Sequence, residues 1–191
     1  MTLSQKDIQK EFHSKAKEYS PKTTIDGVEQ VALQPWHDER GFFMELARKQ
    51  VTDENNEMQK ALVKFWEEID FNTAQWSIAN VEIDNHIKGL HYHLKQKDVW
   101  FFPKGSKAKV VLLDIREKSP TKGQAQVVVM GGDKPSFLKI PEGVAHGYRA
   151  LTNPCTIIYC VTKPFDINDP DELRVEWDHP AIKDLWETKN G

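Results

Sequence analysis

The sequence predicts a mainly β fold, an antiparallel sandwich or small barrel, and three observations carry that expectation. From about Ala74 onward, short runs rich in Val, Ile, Phe, Trp and Tyr alternate with Gly, Pro and Asp turn signals. No helical pattern separates these runs, which excludes the βαβ order of a parallel sheet. Several runs, Val99 to Phe102 among them, are apolar at successive positions, as strands covered on both faces are, so a second sheet or subunit is expected outside the barrel. At 191 residues the chain is long enough for one core without covalent staples.

Taken in order, residues 3–18 are polar with apolar positions at Leu3, Ile8, Phe12 and Ala16, a thin helical stripe. A short strand is expected over 28–33, followed by the loop His37-Asp38-Glu39-Arg40-Gly41. A helix over 57–69 would place Ala61, Leu62, Phe65 and Trp66 on one face. Strands are then expected in SIANVEI, KGLHYHL, DVWFFP, AKVVLLDI, QAQVVVM, SFLKI and CTIIYCV. The tail has turn chemistry at both ends and apolar anchors at Leu173, Trp177, Ile182, Leu185 and Trp186, so it should fold back onto the barrel. With no repeat and no shift of composition, this divides the chain into an N-terminal helical appendage, 1–24, and a single domain, 25–191.

The charge balance, Lys+Arg 26 against Asp+Glu 29, gives no general attraction for nucleic acid or an anionic membrane. The N-terminus is charged throughout and no run approaches the length of a membrane span, so a soluble, cytoplasmic protein is expected. Cys155 and Cys160, five positions apart on one strand, should face opposite sides as buried thiols. There is no GxGxxG and no GxxxxGK[ST], and hence no support for a Rossmann or P-loop nucleotide site.

The chemistry concentrates in two segments. His91 and His93, two apart on a strand, project from one face, and the hairpin that follows brings Asp98 beside them. A third histidine, His146, arrives in Pro141-Glu142-Gly143-Val144-Ala145-His146. Three imidazoles and a carboxylate suit a divalent metal, Fe, Mn, Ni or Zn; the plainer alternative is satisfied core or surface histidine. The spacing resembles the two metal-binding motifs of the cupin superfamily, HxH-x4-E-x6-G and PxG-x2-H, with Asp98 in the place of Glu and Gly105 closing the first. The resemblance implies a cupin-type double-stranded β-helix or jelly-roll barrel with short peripheral helices.

A closer resemblance covers most of the chain. HDERGFFMEL (37–46), KGLHYH (88–93), LDIREKSPTKG (113–123), KIPEGVAHGY (139–148), IIYCVT (157–162) and the tail from Glu172 to Pro180 resemble the dTDP-4-dehydrorhamnose 3,5-epimerase family in order and spacing. That family implies a homodimer working without a metal on a nucleotide-diphospho-sugar with a 4-keto-6-deoxyhexose. By the resemblance His91 is the catalytic base, His146 a second active-site histidine and Tyr159 the general acid. Arg40, Phe43 and Glu45 would bind substrate from a loop supplied across the dimer, with Lys88 and Gln96 contributing from the barrel.

The departures are specific. Lys88 stands for the family's Arg and lacks its bidentate fork. Asp98 falls where the family has an active-site Lys, so a cation is replaced by an anion, with Lys95, Lys97 or His146 as candidate substitutes. No counterpart is evident for the C-terminal Asp that orients the base. A metal-dependent cupin enzyme, a keto-sugar isomerase or an oxygenase, therefore stays open beside the epimerase, as does a non-catalytic sugar-nucleotide-binding cupin. A metal-bound His91 could not also be the base.

Overall fold

The computed structural model describes residues 24–187, so the expected helix over 3–18 lies outside the described residues. Among the described residues twelve strands and one α-helix follow in order: β1 Glu29–Ala32, β2 Pro35–Asp38, β3 Gly41–Met44, α1 Glu57–Trp66, β4 Gln75–Val81, β5 Ile87–Tyr92, β6 Asp98–Phe101, β7 Lys107–Asp114, β8 Ala125–Gly131, β9 Ser136–Ile140, β10 Val144–Ala150, β11 Cys155–Val161 and β12 Leu173–Arg174. Two five-stranded sheets, β1-β9-β6-β11-β4 and β12-β5-β10-β7-β8, face each other, and β2-β3 forms a separate hairpin. The pairing is antiparallel throughout.

Period-two alternation sorts the apolar residues of each strand between layers. On β7, Val110 and Leu112 enter the core between the sheets, while Val111 and Leu113 face out. On β6, Trp100 points in; Val99 and Phe101 point out. On β11, Ile157 and Tyr159 point in, while Ile158 and Cys160 point out. Cys155 belongs to the inner core and Cys160 to the outer layer, so the thiols lie on opposite faces as expected, both buried.

The second cover that the doubly apolar strands require comes from this chain itself. Leu62, Phe65 and Trp66 of α1, with Ile69, close the outer face of the first sheet. Ile182 and Trp186 of the tail close the outer face of the second. The tail is tied down where Lys109 Nζ and Arg149 Nη1 reach the carbonyls of Leu185 (2.8 Å) and Trp186 (2.7 Å) at its last turn.

Local chemistry sets the ends of α1. The Asn56 side chain caps the amide of Gln59 at 3.1 Å, with Glu57 in the first turn. Lys49 Nζ accounts for the C-terminal end, donating to the carbonyls of Trp66 (3.0 Å) and Ile69 (2.6 Å), so the helix stops at Trp66, short of the expected 69. Strand β10 was not among the expected runs because His146, Gly147 and Arg149 interrupt its apolar texture, and it is the strand that carries the third histidine. Among the described residues no helix is long and apolar enough to cross a membrane.

Candidate active site

The alternation that fills the core also aims polar groups into it. His146 and Tyr148 share the inward parity of β10, His91 that of β5, and Asp98 that of β6. His146 lies opposite His91 in the ladder, and the register shifts between His146 and Tyr148, a bulge that lets the two strands approach. Two glycines make the approach feasible. A Cβ on Gly147 would sit 2.7 Å from the Lys88 carbonyl and 2.8 Å from Gly89 Cα, while Gly89 has a φ of +144°. The result is a tight histidine cluster: the ring centroids of His91 and His146 are 4.4 Å apart, those of His91 and His93 5.3 Å, and those of His93 and His146 5.7 Å.

Asp98 lies at the centre of the cluster and is 3% exposed. One oxygen lies 3.7 Å from His93 Nε2 and the other 3.5 Å from His146 Nε2. Gln96 Nε2 (3.0 Å) and Trp100 Nε1 (3.1 Å) donate to the same carboxylate. Burial pushes the Asp98 carboxyl up, but the His146 hydrogen bond and the charges of His146 and His93 outweigh it and hold the carboxyl well below its usual range. Burial, aided by His146, pushes His91 down to about 3 against the pull of Asp98, so His91 is a neutral imidazole at pH 7.

Backbone carbonyls orient the other two rings. His146 Nδ1 donates to Val144 O at 2.8 Å, and His93 Nδ1 donates to Asp171 O. Both Nε2 atoms therefore face the Asp98 carboxylate. The ligand atoms of His91, His93, Asp98 and His146 all lie within 4.8 Å of one another, so the four candidate metal ligands do converge.

The cluster opens into a cleft of 640 Å³ between the sheets. His91 and Lys88 line it from β5, Tyr159 from β11 on the facing sheet, and Gln96 and Asp98 from the connecting hairpin and β6. Of the candidate substitute cations, Lys95 pairs with Asp169 at 2.7 Å, and Lys97 turns outward to Glu68 at 2.6 Å. Arg40, Phe43 and Glu45 do not reach this cleft within the chain. They sit on the β2-β3 hairpin, with Arg40 paired to Asp38 at 2.6 Å and Glu45 to Arg48 at 2.7 Å, which is the capped-turn arrangement of such a loop.

The segment that leads from β11 into β12 supplies what the sequence reading missed. Lys163, Asp166, Asp169, Asp171, Glu172 and Arg174 all line the cleft. The Asp171 carboxylate accepts from the amides of Leu94 (2.9 Å) and Lys95 (2.7 Å), while its carbonyl holds His93. A C-terminal aspartate thus does reach the histidine cluster, although none was expected. The NDPDE run carried the signal, but as acids in a loop it read as turn chemistry alone.

A family model described as dTDP-4-dehydrorhamnose 3,5-epimerase matches residues 22–190. The chain is 45% identical over 166 residues to the spore coat polysaccharide biosynthesis protein SpsL of Bacillus subtilis (strain 168), covering 86% of this chain and 98% of that one. It is 27% identical over 173 residues to the dTDP-4-dehydrorhamnose 3,5-epimerase of Methanothermobacter thermautotrophicus, covering 86% of this chain and 82% of that one. Among solved structures it is similar to a dTDP-6-deoxy-D-glucose-3,5-epimerase from Legionella pneumophila in complex with dTDP-4-keto-L-rhamnose. That match has a TM-score of 0.65 and 25% identity, and covers 84% of this chain and 79% of the other.

Proposed function

The chain belongs to the dTDP-4-dehydrorhamnose 3,5-epimerase family, and from that premise we propose that it inverts one or both carbons flanking the ketone of a nucleotide-diphospho-4-keto-6-deoxy sugar. The observation that carries this reading is the placement of His91 and Tyr159 on facing sheets of one cleft. Inversion needs a base on one face of a sugar ring and an acid on the other, and two sheets with a ring between them offer that arrangement.

His91 is the base. It is neutral at pH 7, and the nearby Asp98 carboxylate favours the imidazolium that forms when it takes the α proton. Tyr159 returns a proton from the opposite side, its phenol O–H serving as the donor that meets the enolate. His146, packed edge-on against His91 with ring centroids 4.4 Å apart, fixes that ring. Lys88 and Lys163 line the cleft as cations for phosphate or enolate oxygen, and Gln96 holds Asp98. Proton transfer by these groups calls for no cofactor.

The nucleotide would be gripped in a homodimer. Trp36 and Phe43 on the β2-β3 hairpin are 63% and 69% exposed and Ile78 on β4 is 70% exposed, apolar side chains that a second copy would cover. Arg40, Phe43 and Glu45 would then reach the partner's cleft. The unpaired thiols Cys155 and Cys160 agree with a reducing, cytoplasmic setting.

The experiment is deuterium exchange into a thymidine-diphosphate 4-keto-6-deoxyhexose, followed by NMR and mass spectrometry. Wild type should exchange ring C–H and form inverted product, and His91→Ala should do neither. Exchange at the wild-type rate by His91→Ala would refute the assignment of the base.

A further inference from the structure

The geometry points to Arg174 as the residue that receives the enolate oxygen of the substrate, a catalytic role that no sequence motif marks. The assignment deepens the proton-transfer reading and rests on it. When His91 takes the α proton, the C–H electron pair becomes part of a new C=C bond and the carbonyl π pair moves onto oxygen. A negative charge therefore appears two bonds from the carbon that His91 deprotonates. A cation or hydrogen-bond donors must meet that charge where it forms.

The closed end of the cleft does not serve. Asp98 is buried there among the histidines, and its carboxylate would repel an enolate placed beside it. Lys95 and Lys97 are held by Asp169 and Glu68. Lys163 lines the cleft but also approaches Asp169, at 3.6 Å. Sheet order leaves the other flank of the base open, because β5 runs between β10 and β12. His146 is the partner of His91 on β10, on the side of Asp98, and Arg174 is its partner on β12.

Directly opposed residues of paired strands share a face, with Cβ atoms about 4.5–5.5 Å apart, and both Arg174 and His91 line the cleft. The two groups already feel each other: burial does most to hold His91 down, and the positive charge of Arg174 adds to the effect. The guanidinium is also available. Glu172 Oε1 accepts from Nη2 at 2.5 Å, and no other hydrogen bond holds it among the described residues. At 74% side-chain exposure this is a loose surface pair, and the remaining N–H groups of the fork can converge on one oxygen. Lys88 stands three residues from His91 along β5, about 10 Å away, and serves the diphosphate instead. The two cations thus take the two anionic centres of one substrate.

The test pairs a rate with an affinity in the full chain. Deuterium exchange into a thymidine-diphosphate 4-keto-6-deoxyhexose is measured at saturating substrate, and binding of thymidine diphosphate, which lacks the ketone, is measured by calorimetry. Arg174→Ala should slow exchange by about a hundredfold to a thousandfold and leave thymidine-diphosphate affinity unchanged, whereas Lys88→Ala should weaken that affinity. The exposed side chain of Arg174 makes misfolding of the variant a poor explanation for lost rate, and its melting temperature checks this. Exchange by Arg174→Ala at the wild-type rate would overturn the proposal and leave His91 as the base. A fall in thymidine-diphosphate affinity as large as the fall in rate would also overturn it, because Arg174 would then be holding the diphosphate. Absence of exchange by the wild type would instead refute the proton-transfer reading and carry the proposal with it, so the wild-type result tells the two failures apart.

Discussion

Gly147→Ala adds one methyl group at the point where β10 passes β5, and its consequences can be worked out from the contacts there. The new Cβ would lie 2.7 Å from Lys88 O, 2.8 Å from Gly89 Cα and 3.5 Å from Gly89 N. These are backbone atoms of a paired strand, so the clash cannot be relieved by turning a flexible side chain. The two strands must separate by roughly 0.6 Å or more to restore ordinary contact, and overpacking of this kind costs about 1–3 kcal/mol. For a chain of this size, about 3 kcal/mol lowers Tm by roughly 6–12 °C. Separation also moves His146 away from His91, its partner across the ladder, and a displacement approaching 1 Å in a reacting pair costs about a hundredfold in rate.

A control separates crowding from backbone strain. Gly123 has a φ of +79° but open space at its Cβ position, so Gly123→Ala should lower Tm through backbone strain of about 1–3 kcal/mol while leaving exchange unchanged. Calorimetric melting and deuterium exchange measure the two consequences for each variant. If Gly147→Ala melts within a degree or two of wild type and retains its exchange rate, the close approach of β5 and β10 is not what positions the histidines.

Four further outcomes are expected. Asp114 is fully buried and accepts from Arg116, Ser119 and Thr121, so Asp114→Ala should cost about 3 kcal/mol, the low end for a broken buried pair, because Arg116 keeps 24% of its side chain in water; chemical denaturation measures the loss. Burial pushes the Asp114 carboxyl up, but those donors outweigh it and hold the carboxyl well below its usual range. Its stabilising contribution is therefore present above the unfolded value near ~3.9 and lost as pH falls toward the folded one, and the drop in Tm from pH 5 to pH 2 should be steeper for wild type than for Asp114→Asn. Tyr159→Phe removes the acid but leaves the base, so isotope exchange should persist while inverted product falls about a hundredfold or more by NMR. Trp186→Ala empties a 2% exposed site in which the indole donates to Trp177 O at 2.7 Å, with a cost of about 3–5 kcal/mol and protease cleavage within the tail as the readout.

The sequence by itself determined the mainly β class, the helix that starts near Glu57 and the inward-facing set of His91, His93, Asp98, His146 and Tyr159. Period-two and period-3.6 spacing give the strands, the helix face and the shared face of His91 and His93, whereas His146 and Tyr159 come from motif order and the family resemblance; both are written locally along the chain. Tertiary structure decided what covers the barrel, what orients the histidines and which residues share a cleft. The outer faces of β6 and β7 are closed by α1 and the C-terminal tail, a pairing between segments far apart in the chain that periodicity does not encode. Asp171 reaches His93 from 78 positions away, and Lys97 and Lys95, neighbours in the candidate list, go to Glu68 and Asp169 in different directions. Arg40, Phe43 and Glu45 match their motif yet lie off the cleft of their own chain. Residue type and spacing specify what a side chain can do and which face it takes, whereas its partners depend on loop paths and strand crossings that only the folded chain fixes.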